Sequence, residues 1–268
     1  MTDSYFWEQV GDRGILMVLE KYIMSSFNPT IWIFVIEQSI RMNSLLKSVS
    51  KSKAVVATQL VNQLINTVIM RNYDGEAPKN RCFISVIGYN HDVKELCSGW
   101  LKDLDENPLR YETAKEKLYN GNGGIIEVEV KQPVWIEVKS ESDDSAKELA
   151  LDEAKKILLK WIENQGETSL PIIFNIMSSK KSAKDDFVEV GDNWKCEKYK
   201  YLQLDIYVND NMQLTELVHL PFKLYRAGGG PGMYTDEIYR SFYEFNTLDA
   251  DVNNLKDSIS LKFKVLKQ

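Results

Sequence analysis

Residues 30–42 read Thr-Ile-Trp-Ile-Phe-Val-Ile-Glu-Gln-Ser-Ile-Arg-Met, a run of apolar side chains that ends abruptly in a polar segment. The consecutive apolar residues Ile31 to Ile36, several of them β-branched, are typical of a strand that is buried on both faces at the centre of a parallel sheet. Ligands of open α/β sheets bind just beyond the carboxyl ends of such strands. Glu37, Ser39 and Arg41 occupy that place and form the first candidate site.

The bulk composition limits the classes of protein. The chain has 268 residues, of which 44% are hydrophobic, enough for one large α/β domain or two small ones with a sizeable core. The net charge is −6, and the basic cluster around Lys180 and Lys181 is followed at once by Asp185 and Asp186, so nucleic acid is not expected as a main partner. No apolar run is long enough to predict a membrane span, and the first residues lack a signal-peptide pattern.

Cysteine and histidine are too few to suggest a metal centre. The three cysteines show no C-x-x-C spacing, so we expect reduced thiols in a cytosolic protein, with neither disulfides nor zinc. His91, with Asp92 beside it, is a conceivable general base, but no serine or cysteine nucleophile can be paired with it from sequence. A surface histidine is the favoured interpretation.

Periodicity predicts alternating strands and helices. Helices are predicted over 50–71, capped by Ser50 or Ser52, over 144–164, capped by Asp143, Asp144 or Ser145, and over 235–245. The predicted apolar face of the second helix starts with Leu149 and Leu151. Strands are predicted over 81–89, 125–130, 170–176, 199–208, 214–220 and 258–266, with an edge hairpin starting within 91–100 and less regular structure up to 123.

This order of elements predicts an α/β fold with a doubly wound, mostly parallel sheet, helices on both faces and one antiparallel edge strand. We expect a single domain over 1–268. Its parts are an N-terminal extension (1–29), a core (30–250) and a C-terminal strand or tail (251–268).

The order resembles the von Willebrand factor A (VWA) domain, above all its bacterial intracellular members. Residues 31–42 stand where that family has its first strand and its Asp-x-Ser-x-Ser turn, and residues 53–72 look like its first helix. Residues 83–89 look like the second long strand. Residues 132–137 resemble the segment before the threonine loop, and residues 171–176 the strand that usually ends in Asp-Gly.

The resemblance implies a divalent metal site built from three loops, and this chain departs from the pattern in each of them. The family positions fall on Glu37 for the first aspartate, Ser39 and Arg41 for the serines, Asp144 or Ser145 for the threonine, and Met177 or Ser178 for the last aspartate. A hard cation prefers carboxylate, hydroxyl and water oxygens, whereas a guanidinium has no lone pair for a metal. We therefore predict a degenerate site without a cofactor, in which Arg41 pairs with Glu37 and Asp144.

The resemblance also implies a function. We expect a non-catalytic scaffold or adaptor module of a bacterial cytoplasmic assembly in stress response or phage (antiviral) defence, with partners such as a kinase, phosphatase or ATPase, and no nucleic acid or membrane. Two alternatives are a Mg²⁺-dependent adhesion-type domain that binds a partner carboxylate through Ser39 and a nucleotide hydrolase. The chain lacks a Walker-type loop. The predicted contact surface at the carboxyl edge of the sheet consists of Glu37, Ser39, Arg41, Asn90, Asp144 and Ser178.

Several motifs have two interpretations. The turn that contains Glu37 and Arg41 is either a remnant that grips a partner's carboxylate through Arg41 or a salt-bridged turn of structural value, and the second is slightly favoured. For the glycine-rich segment Gly228–Gly232, a flexible turn is favoured over a partner-binding loop. The aromatic residues within 234–245 suit a buried helix face better than a docking patch.

Overall fold

A computed structural model describes residues 24–119, 124–137, 139–140, 146–165, 168–178, 188–190, 195–196, 199–210, 212, 214 and 217–218. Several predicted features lie outside these residues: the extension up to residue 23, the helix-cap candidates 143–145, the acidic pair 185–186, the segment 228–232, the helix over 235–245 and the strand over 258–266.

The elements in chain order are as follows. The strands are β1 (Thr30–Glu37), β2 (Leu45–Leu46), β3 (Lys51–Ser52), β4 (Tyr73–Asp74), β5 (Ala77–Pro78), β6 (Cys82–Tyr89), β7 (Val93–Trp100), β8 (Arg110–Tyr119), β9 (Ile125–Val134), β10 (Ile172–Ser178), β11 (Val188–Val190), β12 (Lys195–Cys196), β13 (Tyr199–Lys200) and β14 (Leu202–Val208). The helices are α1 (Lys53–Arg71), α2 (Leu101–Glu106) and α3 (Lys147–Gln165), and a 3-10 helix spans Ile40–Asn43.

Six strands form the central sheet in the order β11-β14-β10-β1-β6-β7. Strand β1 runs parallel to β6 and β10, and β10 runs parallel to β14. The two edge strands are antiparallel to their neighbours, β7 to β6 and β11 to β14. The predicted fold class is confirmed: β7 is the predicted antiparallel edge, and β11 adds a second one at the opposite edge.

Strand β1 lies at the centre because both of its faces are apolar. Alternate residues point to opposite sides of a strand, so Trp32 and Phe34 join the core beneath α1, whereas Ile33 joins the core beneath α3. All eight residues of β1 are buried. On the α1 side, the ring of Phe34 stacks on that of Phe174 of β10 with centroids 4.7 Å apart. Strand β1 is therefore covered on both faces, and Glu37 is its last residue, at the carboxyl edge of the sheet.

Helix α1 begins where its cap accepts a hydrogen bond. The Ser52 hydroxyl accepts from the backbone N–H of Val55 at 3.3 Å, which selects Ser52 over Ser50 as the cap. Ser50 instead has a positive φ of 53° in the turn before β3.

Within the described ranges, none of the helices is both long enough and apolar enough to cross a membrane.

Strands β8 and β9 form a two-stranded antiparallel ribbon apart from the central sheet. The sequence predicted irregular structure in place of β8, and it ended the β9 strand at residue 130 instead of Val134. The base of the ribbon is tied to α1 by the buried Asn62. Its Oδ1 accepts from the backbone N–H groups of Trp135 (2.8 Å) and Ile136 (3.2 Å), and its Nδ2 donates to the Ile136 carbonyl oxygen (3.1 Å). Since these partners are more than seventy residues apart in sequence, periodicity does not reveal them.

Two further predictions are wrong. In place of the strand predicted over 214–220, the described residues Leu214, Leu217 and Val218 are helical, because a short apolar run does not by itself distinguish strand from helix. Leu217 and Val218 pack into the core on the α1 side. On α3, the predicted apolar face included Leu149, which is 63% exposed, whereas Ala150 is buried.

Candidate functional site

The site lies at the carboxyl edge of the sheet, where β1 ends. Glu37, the last residue of β1, has only 2% of its side chain exposed, whereas the side chain of Arg41 is 59% exposed. Strand β10 runs parallel to β1, so Ser178 at its end reaches the same edge. A buried carboxylate therefore lies directly beneath an exposed guanidinium.

Both oxygens of the Glu37 carboxylate accept several hydrogen bonds. Oε1 accepts from Ser39 Oγ at 2.5 Å, from Arg41 Nη2 at 2.8 Å and from Arg41 Nε at 3.2 Å. Oε2 accepts from the backbone N–H of Ser178 at 2.7 Å and from Ser178 Oγ at 2.9 Å. The carboxylate is thus saturated with donors and joins the ends of β1 and β10.

These contacts determine the charge of Glu37. Burial alone would raise the pKa of this carboxyl, but the hydrogen bonds from Ser39 and Ser178 and the positive charge of Arg41 outweigh it. The net effect lowers the pKa of Glu37 from its usual 4.5. Glu37 is therefore an anion at neutral pH, and Arg41 is its counter-ion.

A second cation lies next to this pair. Lys53 is the first residue of α1 and is half-buried. Burial lowers the pKa of Lys53, and Arg41 lowers it further, while the negative charges of Glu37 and Asp210 raise it. The ammonium group thus interacts electrostatically with the same site, and it adds a second positive charge near Glu37.

The structure brings together four of the six predicted site residues: Glu37, Ser39, Arg41 and Ser178. For the family's last aspartate position, two candidates were left open, and Ser178 is the residue that contacts Glu37. Asn90 lies at the same edge, but it forms hydrogen bonds with Asp92 and accepts from the backbone N–H of Ala146.

Asp144 lies outside the described residues, so its pairing with Arg41 stays a prediction. The described residues on either side of it are attached to this edge. The backbone N–H of Ala146 donates to the Asn90 carbonyl oxygen at 2.6 Å, and Asn43 Nδ2 donates to the Ser140 carbonyl oxygen at 3.3 Å. Both ends of the segment that contains Asp144 therefore reach the carboxyl edge.

Sequence reasoning missed Lys53, Gln38 and Asp210. The position of Lys53 directly after the helix cap was an available signal. The side chain of Gln38 lies over Gly88, where an added Cβ would be 2.5 Å from the Gln38 Oε1, so Gly88 provides the space for it. Asp210 accepts from the backbone N–H of Ser48 at 3.1 Å, across 162 residues of sequence, and no local pattern predicts such a contact.

The histidine considered as a general base is a surface residue. The side chain of His91 is 59% exposed, and its Nε2 lies 3.1 Å from Asp92 Oδ2. In the part of the chain that the structure describes, no group of three or more His, Cys, Asp or Glu residues is arranged to hold a metal ion.

Comparisons with known proteins add one similarity. No protein-family model and no curated protein matches the chain. Among solved structures, it is similar to the crystal structure of the ArnB paralog VWA2 from Sulfolobus acidocaldarius, with 14% sequence identity and a TM-score of 0.34. The match covers 75% of this chain and 45% of that chain, so this chain spans less than half the length of that relative.

Proposed function

We propose that this protein is a non-catalytic protein-interaction module of the VWA type, which binds its partner at the carboxyl edge of the sheet and uses Arg41 as a fixed cation. One observation carries the proposal. The Nε and Nη2 of Arg41 are held by Glu37 Oε1, yet 59% of the side chain is exposed. The guanidinium is therefore held in place from below and is accessible to a partner's carboxylate from above.

The topology supports the resemblance on which the VWA type rests. The polar turn follows the central strand β1, a long helix α1 comes next, and β6 and β7 then form an antiparallel hairpin at the edge. Ligands of such sheets bind beyond the carboxyl ends of the strands, where loops on a rigid scaffold carry the contacts.

The side chains around Glu37 do not suit the divalent metal ion that the resemblance implies. Arg41 Nη2 lies 2.8 Å from Glu37 Oε1, so an ion bound to that oxygen would meet a guanidinium that cannot be deprotonated. The serine at the end of β10, Ser178, supplies a hydroxyl and a backbone N–H to Glu37, both of them donors. We therefore propose that Arg41 takes the electrostatic role of the cation and that the module works without a cofactor.

Isothermal titration calorimetry with Mg²⁺ and Mn²⁺ tests the absence of a metal. We expect no binding stronger than about 1 mM, because the ion would have to displace Arg41 and three hydrogen-bond donors from a buried carboxylate. Ser39→Ala is the matched variant. Micromolar binding that disappears in Ser39→Ala would favour the alternative of a Mg²⁺-dependent adhesion-type domain and contradict the proposal.

Partner capture tests the role of Arg41. Affinity-tagged protein is purified from native cells, the co-purifying proteins are identified, and the affinity of the purified partner is then measured. We expect Arg41→Ala to weaken that affinity about tenfold or more, because a partner carboxylate would lose a bidentate donor. Some stability should also be lost, because Arg41 is the counter-ion of the buried Glu37, so the affinity is measured well below the thermal midpoint of the variant. The control is Lys156→Ala, an exposed cation on α3.

The result has two clear outcomes. If Arg41→Ala and Lys156→Ala capture the same partner with the affinity of the unaltered protein, Arg41 is a structural residue of a salt-bridged turn. If only Arg41→Ala loses the partner, the edge is the binding surface.

The resemblance also supplies the proposed biological setting. The protein would be an adaptor in a cytoplasmic stress-response or antiviral-defence assembly, with a kinase, phosphatase or ATPase as partner. An assay of ATP and GTP turnover tests the proposed lack of catalysis.

A further inference from the structure

The segment that connects β1 to α1 is basic in an otherwise acidic protein. The net charge of the chain is −6, yet residues 38–73 contain no aspartate or glutamate. Four cations lie within residues 38–53, which are the connection and the first residue of α1: Arg41, Lys47, Lys51 and Lys53. Among the described residues, two carboxylates interact with these cations. They are Glu37, which is buried, and Asp210. This end of the molecule therefore carries local positive charge.

The same segment exposes large apolar side chains. The exposed fractions are 69% for Leu45, 53% for Ile40, 48% for Val49 and 44% for Val55. Leu45 lies opposite Ser52 in the β2–β3 hairpin, and Ser52 caps the N–H of Val55, so Leu45 is close to the start of α1. Neighbouring exposed apolar residues with a polar rim mark interaction surfaces more often than isolated ones do.

The hairpin that carries these side chains is held in a defined conformation. Asp210, two residues after β14, accepts from the backbone N–H and from the hydroxyl of Ser48 at 3.1 and 3.3 Å. The ammonium of Lys51 donates to the neutral amide of Gln59 at 3.3 Å, so this contact leaves its charge uncompensated. A partner would therefore meet a pre-formed surface and lose little free energy to ordering it.

We propose that the β2–β3 hairpin surface, formed by Leu45, Lys47, Val49 and Lys51, docks an acidic peptide segment of the partner protein that carries at least one bulky apolar residue. This inference rests on the proposed function, because it assigns the chemistry of the partner next to Arg41. The lysines contact carboxylates of the peptide, and Leu45 and Val49 bind its apolar side chain. Charge complementarity favours a peptide over an anionic bilayer. A short peptide contacts only the basic hairpin, whereas an extended anionic bilayer would be repelled by the net negative charge of the whole protein.

Selection of peptides tests this assignment. The full chain is immobilised and challenged with a displayed library of random peptides of about a dozen residues. We expect the enriched peptides to be acidic and to contain Leu, Ile, Phe or Trp. One such peptide, labelled with a fluorophore, then gives the affinity by fluorescence polarisation. Raising NaCl from about 50 to about 300 mM should weaken binding several-fold.

Two double variants separate the two parts of the surface. Both Lys47→Gln/Lys51→Gln and Leu45→Ser/Val49→Ser should weaken binding of the labelled peptide about tenfold while the thermal midpoint stays nearly unchanged, because all four side chains are exposed. The matched control, Lys156→Gln/Lys160→Gln on α3, should bind like the unaltered protein. Neutral or basic enriched peptides, no enrichment, or equal binding by all variants would overturn the proposal.

Two comparisons distinguish this inference from its alternatives. Co-sedimentation with vesicles of phosphatidylcholine and phosphatidylserine should be absent. Sedimentation that the lysine variant abolishes would replace the peptide with a membrane and overturn the proposal. If the natural partner binds the hairpin variants normally but fails to bind Arg41→Ala, the hairpin assignment fails and the proposed function stands. If neither the hairpin variants nor Arg41→Ala weakens binding of the natural partner, both the hairpin assignment and the proposed function are contradicted.

Discussion

Replacing Glu37 with glutamine is expected to lower the free energy of unfolding by about 3 kcal/mol, because a buried charged acceptor loses several hydrogen bonds at once. The amide group has one acceptor atom where the carboxylate has two. Its NH₂ would face either the donors of Ser178 or those of Ser39 and Arg41. Chemical denaturation measures the loss. Glu163→Gln, on the exposed surface of α3, is the control and should change stability by less than about 0.5 kcal/mol.

The pH dependence shows whether the charge of Glu37 causes the effect. The contacts lower the pKa of Glu37 in the folded state below its usual 4.5. The unfolded chain therefore binds the proton more tightly, and the stabilisation is complete above the unfolded pKa and is lost as pH falls through the folded value. The difference between the native protein and Glu37→Gln should be constant at neutral pH and shrink below about pH 4.5. A difference that is independent of pH, or absent, would contradict the proposed role.

The second large effect is expected at Asn62. Asn62→Ala should lower the free energy of unfolding by about 3 kcal/mol, because two backbone N–H groups and one carbonyl at the base of the ribbon lose a buried partner. Asn62→Leu, which restores volume without the amide, should be nearly as unstable as Asn62→Ala. The control is Thr67→Ala on the exposed side of α1, where the lost hydroxyl bond to the Gln63 carbonyl is solvent-accessible.

The Asn62 variants also report on the ribbon itself. An isolated two-stranded hairpin is marginally stable in water, so β8 and β9 depend on their attachment at Trp135 and Ile136. Hydrogen exchange of the ribbon amides should therefore increase in Asn62→Ala by more than exchange of the amides in β1 and β10. If exchange rises equally everywhere, Asn62 stabilises the whole fold and does not hold the ribbon in particular. Stability equal to that of the Thr67→Ala control would contradict the prediction.

The sequence predicted best the elements whose own residues decide their burial. Strand β1 is apolar on both faces, and such a run is stable only between two layers of helices, so its central place followed from local pattern. The cap at Ser52 and the apolar stripe of α1 likewise depend on neighbours a few residues away. The ribbon strand β8 was missed because its residues do not keep a two-residue alternation of apolar and polar side chains: residues 115–117 are all charged. The helical residues near Leu217 were missed because a short apolar run fits either periodicity.

By itself, the sequence determined that a buried strand ends in a glutamate, a serine and an arginine at the edge where α/β sheets bind ligands, and that the arginine cannot coordinate a metal. Only the tertiary structure decided that Ser178 of β10, 141 residues away, completes the hydrogen bonds of Glu37. It also decided that Asp210 fixes the hairpin beside Arg41. The physical reason is that the buried carboxylate requires donors on both oxygens, and strand pairing between distant parts of the chain chooses which residues supply them.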